Sequence, residues 1–421
     1  MRAHLRAQIP RPIRSAQTAG WIPSWKIEYA FYFSIAYSIL APFLGVEVPL
    51  LAAAIMVVLA CFCFKHLRSR AKQVFGPISL LLACIISFIL VQIVAHGASP
   101  VDQVVRDFIL WFCGMIVVQS LCLRRGFLHR CVIVFLLLGL IALPYLTFEE
   151  DELERAKSGI EIGANLANAN GLGNWFGFCV VFFTIFALEN KRFIVRAAAW
   201  ATAIGSMFVV GLTLSRGAVL GSAVAIVFAF RVYLKRAFVP ALALILLSWL
   251  VVEAGLFNDI TTKFASRGIE GTGRYELWPM VIERILKSPI LGVGKSDIAT
   301  YMPDGFDMIS TPHNTFLLVA LASGVVPLAF YVAFWIGAVR RSFSRVERSE
   351  LSPYRMPFLL YVFAACMVAD VTGVQWALLT LSVGAGPVVV RRPDRVTVVR
   401  RIGGLRMPRP LGDPSRIRTQ Q

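Results

Sequence analysis

Apolar runs of roughly 17 to 26 residues recur along this chain, and each is long enough for a helix to cross the hydrocarbon core of a bilayer. No other feature restricts the possible folds so strongly. With 57% hydrophobic residues, 16% charged residues and a mean hydropathy of +0.71, the 421-residue chain is too apolar for a water-soluble globule. The pattern predicts an all-α polytopic membrane protein. About twelve transmembrane helices are expected, near 27–45, 48–64, 77–95, 104–123, 128–147, 171–189, 193–212, 217–233, 237–255, 314–339, 355–373 and 374–390.

The net charge of +18 resembles a nucleic-acid signal until its placement is considered. Lys and Arg cluster at alternate gaps between the runs: 65–72, 124–130, 191–196, 231–236 and 340–355, with further clusters at both ends of the chain. With the N-terminus in the cytoplasm, roughly three quarters of the 42 basic residues fall on the cytoplasmic side, as the positive-inside rule requires. An odd span count would put the Arg-rich tail outside. The expected layout is therefore a basic N-terminus over 1–26, spans over 27–255, an outward-facing loop over 256–313, spans over 314–390 and a cytoplasmic tail over 391–421. Both termini are cytoplasmic in this reading, and membrane lipids rather than nucleic acid are the expected partner.

The eight cysteines (61, 63, 84, 113, 122, 131, 179 and 366) all lie in apolar segments and form no metal or disulfide framework. Residues 1–26 are basic and Pro-rich, and the apolar run after them is long enough to stay as an anchor, so no cleavable signal is expected.

Polar chemistry is concentrated between Asn258 and Asn314, where the chain leaves the apolar pattern and gathers Arg267, Arg274, Lys295 and His313. Within it, Tyr275 to Lys287 is amphipathic. Leu277, Trp278, Val281, Ile282 and Ile285 share one face, Pro279 is tolerated near the first turn, and Trp278 points to a helix in the interface plane. Gly271, Gly273, Gly292 and Gly294 supply turns at its ends, and Gly292-Val-Gly294 is a weak phosphate signal without a strand–helix context. His313 sits at the polar–apolar boundary, where it is either structural or a base that accepts a proton near neutral pH.

Three shorter stretches share that side of the membrane. Acidic residues from Glu149 to Glu161 form a like-charged block, expected to be solvated and mobile. The sixth span opens through Asn165-Leu-Ala-Asn168-Ala-Asn170-Gly-Leu-Gly-Asn174, a composition that suits helix capping or contacts to sugar hydroxyls and phosphates. Leu214-Ser215-Arg216-Gly217-Ala218 joins two spans with little loop. Arg216 there either snorkels to the headgroups or, beside a helix N-terminus, holds a phosphate.

There is no Walker-type loop, no serine nucleophile elbow, no zinc-binding helix signature and no acidic pair with metal-ligand spacing, so neither a metal nor another cofactor is implied. Outside the cytoplasm there is no ATP, and group transfer there needs a donor that arrives activated. A glycan on a membrane-embedded isoprenoid diphosphate qualifies, since Arg can hold the leaving diphosphate bidentately.

These residues, in order, resemble the bacterial O-antigen ligase and polymerase superfamily. The resemblance rests on Leu214-Ser-Arg216-Gly-Ala-Val-Leu-Gly221, then Gly273-Arg274-Tyr-Glu-Leu-Trp278 and Ser288-Pro289-Ile-Leu-Gly292-Val-Gly294, then His313-Asn314-Thr-Phe-Leu and Gly324, with Asn168-Ala-Asn170-Gly171 upstream. It covers roughly residues 165–335. It implies that Arg216 and Arg274 stabilise the departing undecaprenyl diphosphate and that His313 deprotonates the acceptor hydroxyl, with inversion at the anomeric carbon. Arg267 and Arg106 are further candidate phosphate contacts; an ion pair with Asp102 or Asp107 would account for Arg106 equally well. Asn170, Trp278 and Asn314 complete the candidate substrate contacts. The expected function is glycan transfer from undecaprenyl diphosphate to lipid A-core at the periplasmic face. The alternatives are a polymerase whose acceptor is a second lipid-linked repeat and a lipid-linked glycan transporter. Against transport, the halves of the chain look unlike each other and the polar signal lies at the rim.

Overall fold

The computed structural model describes residues 24–41, 49–67, 76–98, 103–148, 156–158, 168–231, 274–295, 298, 312–343, 351–368 and 375–384. The described chain is all-α apart from one pair of short strands. The helices are α1 (Trp25–Leu40), α2 (Pro49–Leu67), α3 (Ile78–Val94), α4 (Gln103–Leu121), α5 (Phe127–Ala142), α6 (Ala169–Glu189), α7 (Phe193–Leu212), α8 (216–231), α9 (Arg274–Lys287), α10 (Thr315–Ser323), α11 (Val325–Phe343), α12 (Ser352–Val368) and α13 (Gln375–Gly384). Among the described residues, four segments have the length and apolarity to cross a membrane: Phe127–Tyr145, Ala169–Glu189, Phe193–Leu212 and Val325–Phe343. Shorter apolar helices stand at most of the other expected positions, and the expected span 237–255 lies outside the described residues.

Packing joins α6 to α7, α3 to α11, α2 to α4, and α12 to both α13 and α6. Helix α6 is the centre of the bundle, with Trp175, Phe176, Phe178 and Phe182 at most 1% exposed. By contrast α7 and α11 each turn a stripe of large apolar side chains outward, including Ile204 and Phe208 on the first and Val332 and Ile336 on the second. That distribution suits one central and two lipid-facing helices. Between such helices, close packing supplies cohesion that the hydrophobic effect cannot. Gly173 and Gly177 on α6, and Gly217 and Gly221 on α8, repeat at a four-residue spacing that brings backbones together. A β-carbon on Gly177 would lie 2.5 Å from the Tyr361 hydroxyl of α12, and one on Gly221 would lie 3.1 Å from the Tyr361 ring. Tyr361 is fully buried between the two glycine stripes and donates its hydroxyl to the Asn174 carbonyl at 2.6 Å.

Leu146–Phe148 pairs antiparallel with Ala156–Ser158 in a short β-ladder, and the second strand packs on α6. The acids Glu149 to Glu154, and Glu161, on which the expectation of a solvated, mobile block rests, lie outside the described residues.

One expectation about the elements needs correction: the expected span 314–339 is not one helix. It is a hairpin of α10 and α11 that reverses at Gly324 (φ +78°). The ring centroids of Phe316 and Tyr331 are 4.9 Å apart, whereas one continuous helix would separate these residues by roughly 22 Å. Glycine is required at the reversal for two reasons. The positive φ disfavours any side chain, and a β-carbon would collide with the Ile290 carbonyl.

Candidate functional site

The hairpin sets the position of His313. Because α10 runs back along α11, its N-terminal end lies beside Tyr331 and Trp335 rather than beside Gly324. His313 is eleven residues before the reversal, so it sits roughly 16 Å down the hairpin, not at the end of a span as the sequence led us to expect.

Three local features fix the backbone there. Asn314, 3% exposed, is the N-cap of α10, and its side-chain oxygen accepts from the amides of Phe316 at 2.9 Å and Leu317 at 3.2 Å. His313 itself adopts φ +48°, a left-handed conformation that is uncommon for a residue with a β-carbon. The indole nitrogen of Trp278 donates to the Pro312 carbonyl at 3.1 Å, tying α9 to the residue before the histidine. The capping bonds and this tether account for how a strained histidine is held.

Helix α9 docks on α10 through Leu277 and Val281, both at most 1% exposed, with Ile285 half-buried behind them. Ile282, expected on the same face, is 46% exposed and points elsewhere. On the exposed side Lys287 bonds Glu283 at 2.8 Å, which holds that carboxyl below the usual range. Arg274 is the first residue of α9, one turn before Trp278. Its backbone therefore belongs to the helix that grips Pro312.

The second cluster is built around Arg216. Thr213 closes the end of α7, its hydroxyl donating to the Val210 carbonyl at 2.8 Å. Leu214 then takes φ +48°, the only non-glycine residue besides His313 with positive φ among the described residues. Ser215 is 2% exposed and its carbonyl accepts the Val219 amide at 3.1 Å, which opens α8 at Arg216. The half-buried Arg216 thus stands in the first turn of a helix, where the helix dipole favours an anion. Gly173 of α6 packs against this turn so closely that a β-carbon would lie 2.5 Å from the Thr213 hydroxyl and 2.6 Å from the Ser215 β-carbon. One turn earlier, Asn168 caps α6 by accepting from Gly171 at 2.6 Å, and the half-buried Asn170 follows it. The asparagine-rich segment and the Arg216 turn are therefore neighbours.

Helix α12 joins the two clusters. Its last residue, Val368, meets Gly217 so closely that a β-carbon on the glycine would collide with its methyl group. One and a half turns earlier, Phe363 stacks edge-on with Phe316 at 5.8 Å, next to the Asn314 cap. Cys366 lies between them, 3.2 Å from the Tyr331 hydroxyl. Of the residues singled out in the sequence, Trp278 is bonded to Pro312 next to His313 and Asn314, Asn170 and Arg216 meet through the packing of α6 on the Arg216 turn, and α12 brings both groups to one region. Arg106 lies in the first turn of α4, where only its backbone is described, and Arg267 lies outside the described residues.

A third set of residues was not singled out as functional and acts as a brace. Gln92 of α3, 1% exposed, donates to the Ala322 carbonyl at 2.9 Å and the Ser323 hydroxyl at 2.8 Å and accepts the Lys295 amide at 2.8 Å. Ser288 to Lys295 lies across the hairpin tip, with Val293 and Gly294 donating to Leu321 and Ala322, and Val325 donating to Pro289. Gly292 and Gly294, both at positive φ, make that close approach possible, which answers the phosphate reading of Gly292-Val-Gly294 with a structural role. A glutamine inside an apolar run was the available signal for Gln92.

Compared with protein families, residues 201–332 match the family described as O-antigen ligase. The matched segment spans the second half of α7, the Arg216 turn, α8, α9, α10 and the start of α11, so Arg216, Trp278, His313 and Asn314 fall inside it, while the asparagine-rich start of α6 and the joining helix α12 lie outside it. No curated protein matches the chain at a significant level.

Proposed function

Taking this chain as a member of the O-antigen ligase and polymerase superfamily through residues 201–332, we propose that it is an inverting, metal-independent glycosyltransferase. It moves a glycan from undecaprenyl diphosphate to lipid A-core at the periplasmic face of the inner membrane. In this reading twelve spans place both termini in the cytoplasm and the 256–313 loop outside.

The observation that supports it best is the convergence on α12 of an arginine at a helix N-terminus and a histidine held in a strained, capped turn. Diphosphate departure needs a fixed cation, and Arg216 in the first turn of α8 supplies one at the positive end of the helix dipole. Arg274 adds a second positive charge, with Arg267 and Arg106 as further phosphate contacts and Asn170, Asn314 and Trp278 shaping the substrate surface.

In the reaction, His313 takes the proton of the acceptor hydroxyl as its oxygen attacks the anomeric carbon. The bond from that carbon to the phosphate oxygen breaks, and undecaprenyl diphosphate leaves with the electron pair. Attack opposite the leaving group inverts the centre, and no oxidant, reductant or nucleotide is consumed.

The test uses purified protein in detergent with undecaprenyl-diphosphate-linked glycan, EDTA, no ATP, and either lipid A-core or a second lipid-linked repeat. A shifted lipid A-core band is expected. A ladder of lengthening lipid-linked chains would make the protein a polymerase acting at the same site. Movement of lipid-linked glycan between leaflets of a liposome, with no new linkage, would overturn the enzymatic reading.

A further inference from the structure

The position of Arg216 is set by α8, and α8 is seated against α6 by one side chain of α12. Tyr361 is fully buried. Its ring edge meets Gly221 of α8, where a β-carbon would lie 3.1 Å away, and its hydroxyl meets Gly177 of α6, where a β-carbon would lie 2.5 Å away. The hydroxyl donates to the Asn174 carbonyl of α6 at 2.6 Å. One stiff side chain thus touches both helices. Beside it the buried Ser222 of α8 donates to the Gly177 carbonyl at 3.3 Å. One turn outward Gly173 abuts Ser215, and Arg216 follows directly. Contact between glycines and Val368 sets how closely the helices approach. It leaves their axial register to directional bonds, and the short Tyr361 bond supplies one inside the bilayer.

We propose that Tyr361 is a positioning residue for glycan transfer: through Asn174 and Gly221 it sets the height and rotation of the first turn of α8, and so aligns the Arg216 guanidinium with the donor's diphosphate. This rests on the glycosyltransferase reading above, and it adds a residue outside the matched segment 201–332. A guanidinium holds phosphate oxygens through paired N–H donors in a fixed fork, so its grip depends on angle as well as distance. A lysine ammonium is a point charge on a flexible stem and depends little on angle. Alignment therefore has a signature that packing lacks. Loss of the Tyr361 hydroxyl should matter when residue 216 is arginine and cease to matter when it is lysine.

The experiment measures equilibrium binding of tritiated undecaprenyl diphosphate to the purified full chain in detergent, beside its unfolding temperature. The variants are Tyr361→Phe, Arg216→Lys, the two combined, and Trp175→Phe as a control. Trp175 is equally buried and also donates to a backbone carbonyl, that of Phe135 at 2.9 Å, but on the α5 side of α6. Tyr361→Phe is expected to weaken binding about three- to tenfold and Trp175→Phe by less than about twofold, although each removes one buried hydrogen bond. Added to Arg216→Lys, Tyr361→Phe should cost less than about twofold further. Suppose Arg216→Lys weakens binding, but Tyr361→Phe leaves it unchanged, matches the Trp175 control or adds to Arg216→Lys in full. Tyr361 then only packs, and the inference falls while the function stands. If Arg216→Lys binds as tightly as the unmodified protein, or the unmodified protein binds nothing, Arg216 does not hold the diphosphate and both readings fall.

Discussion

The indole nitrogen of Trp278 and the carbonyl oxygen of Pro312 lie 3.1 Å apart, so a helix on the far side of the 296–311 segment holds the peptide that precedes His313. This bond is the direct link between the two loop motifs. Trp278→Phe keeps the ring packing and removes only the donor. A hydrogen bond of this kind contributes roughly 0.5–1.5 kcal/mol, so glycan transfer should fall by no more than about tenfold, chiefly in kcat, with a melting temperature lowered by no more than a few degrees. Steady-state transfer assays beside thermal unfolding in detergent separate the two effects. A large loss of stability with normal kcat would show that Trp278 only packs.

His313 combines a chemical role with a backbone requirement, and two substitutions distinguish them. Asparagine tolerates the φ of +48° better than alanine does, and neither can act as the base. His313→Asn is expected to keep the wild-type melting temperature and His313→Ala to lower it slightly, while both lose transfer by about a hundred- to ten-thousandfold. Substantial transfer by His313→Asn would remove the histidine from the chemistry.

Much of this arrangement was readable in the sequence because membrane spans announce themselves by length. The expected spans at 77–95, 104–123, 171–189 and 193–212 correspond closely to α3, α4, α6 and α7. The motif residues were also legible, since Arg216 interrupts apolar surroundings, Trp278 lies on an amphipathic segment and His313 stands at a polar–apolar boundary. The α10–α11 hairpin was not. Residues 314–339 are apolar throughout, and composition alone cannot distinguish one long helix from two antiparallel ones. The deciding signal was Gly324 together with Ser288 to Gly294, whose meaning emerges only when the Ile290 carbonyl is seen to fill the space of the missing β-carbon. Likewise, the sequence of the Arg216 motif did not disclose that Gly217 and Gly221 are spaced to receive α12.

Gly324→Ala tests the hairpin directly. The substitution forces a β-carbon into the Ile290 carbonyl at a φ of +78°, so either the 288–294 segment lifts away or the reversal distorts. A cost of about 2–4 kcal/mol is expected, enough to lower the melting temperature by several degrees and to reduce transfer by displacing His313. Fluorescence-detected thermal unfolding checks the first effect. A variant as stable as wild type would contradict the hairpin geometry.

Gln92→Leu tests the brace from the opposite helix. Leucine fits an apolar span better than glutamine does, so membrane partition alone predicts a neutral or stabilising change. The structure predicts the opposite. The side-chain amide of Gln92 serves the Ala322 carbonyl, the Ser323 hydroxyl and the Lys295 amide, and its removal strands buried polar groups on both the hairpin tip and the segment that crosses it. Each stranded group costs about 1–3 kcal/mol, and the loss falls where two elements meet, so it should also loosen their docking. Hydrogen exchange at Val293 and Gly294, whose amides are bonded to Leu321 and Ala322, should then quicken together with a lower melting temperature. If Gln92→Leu instead left exchange at those two amides unchanged, the brace would hold through backbone bonds alone, and the position of His313 would not depend on α3.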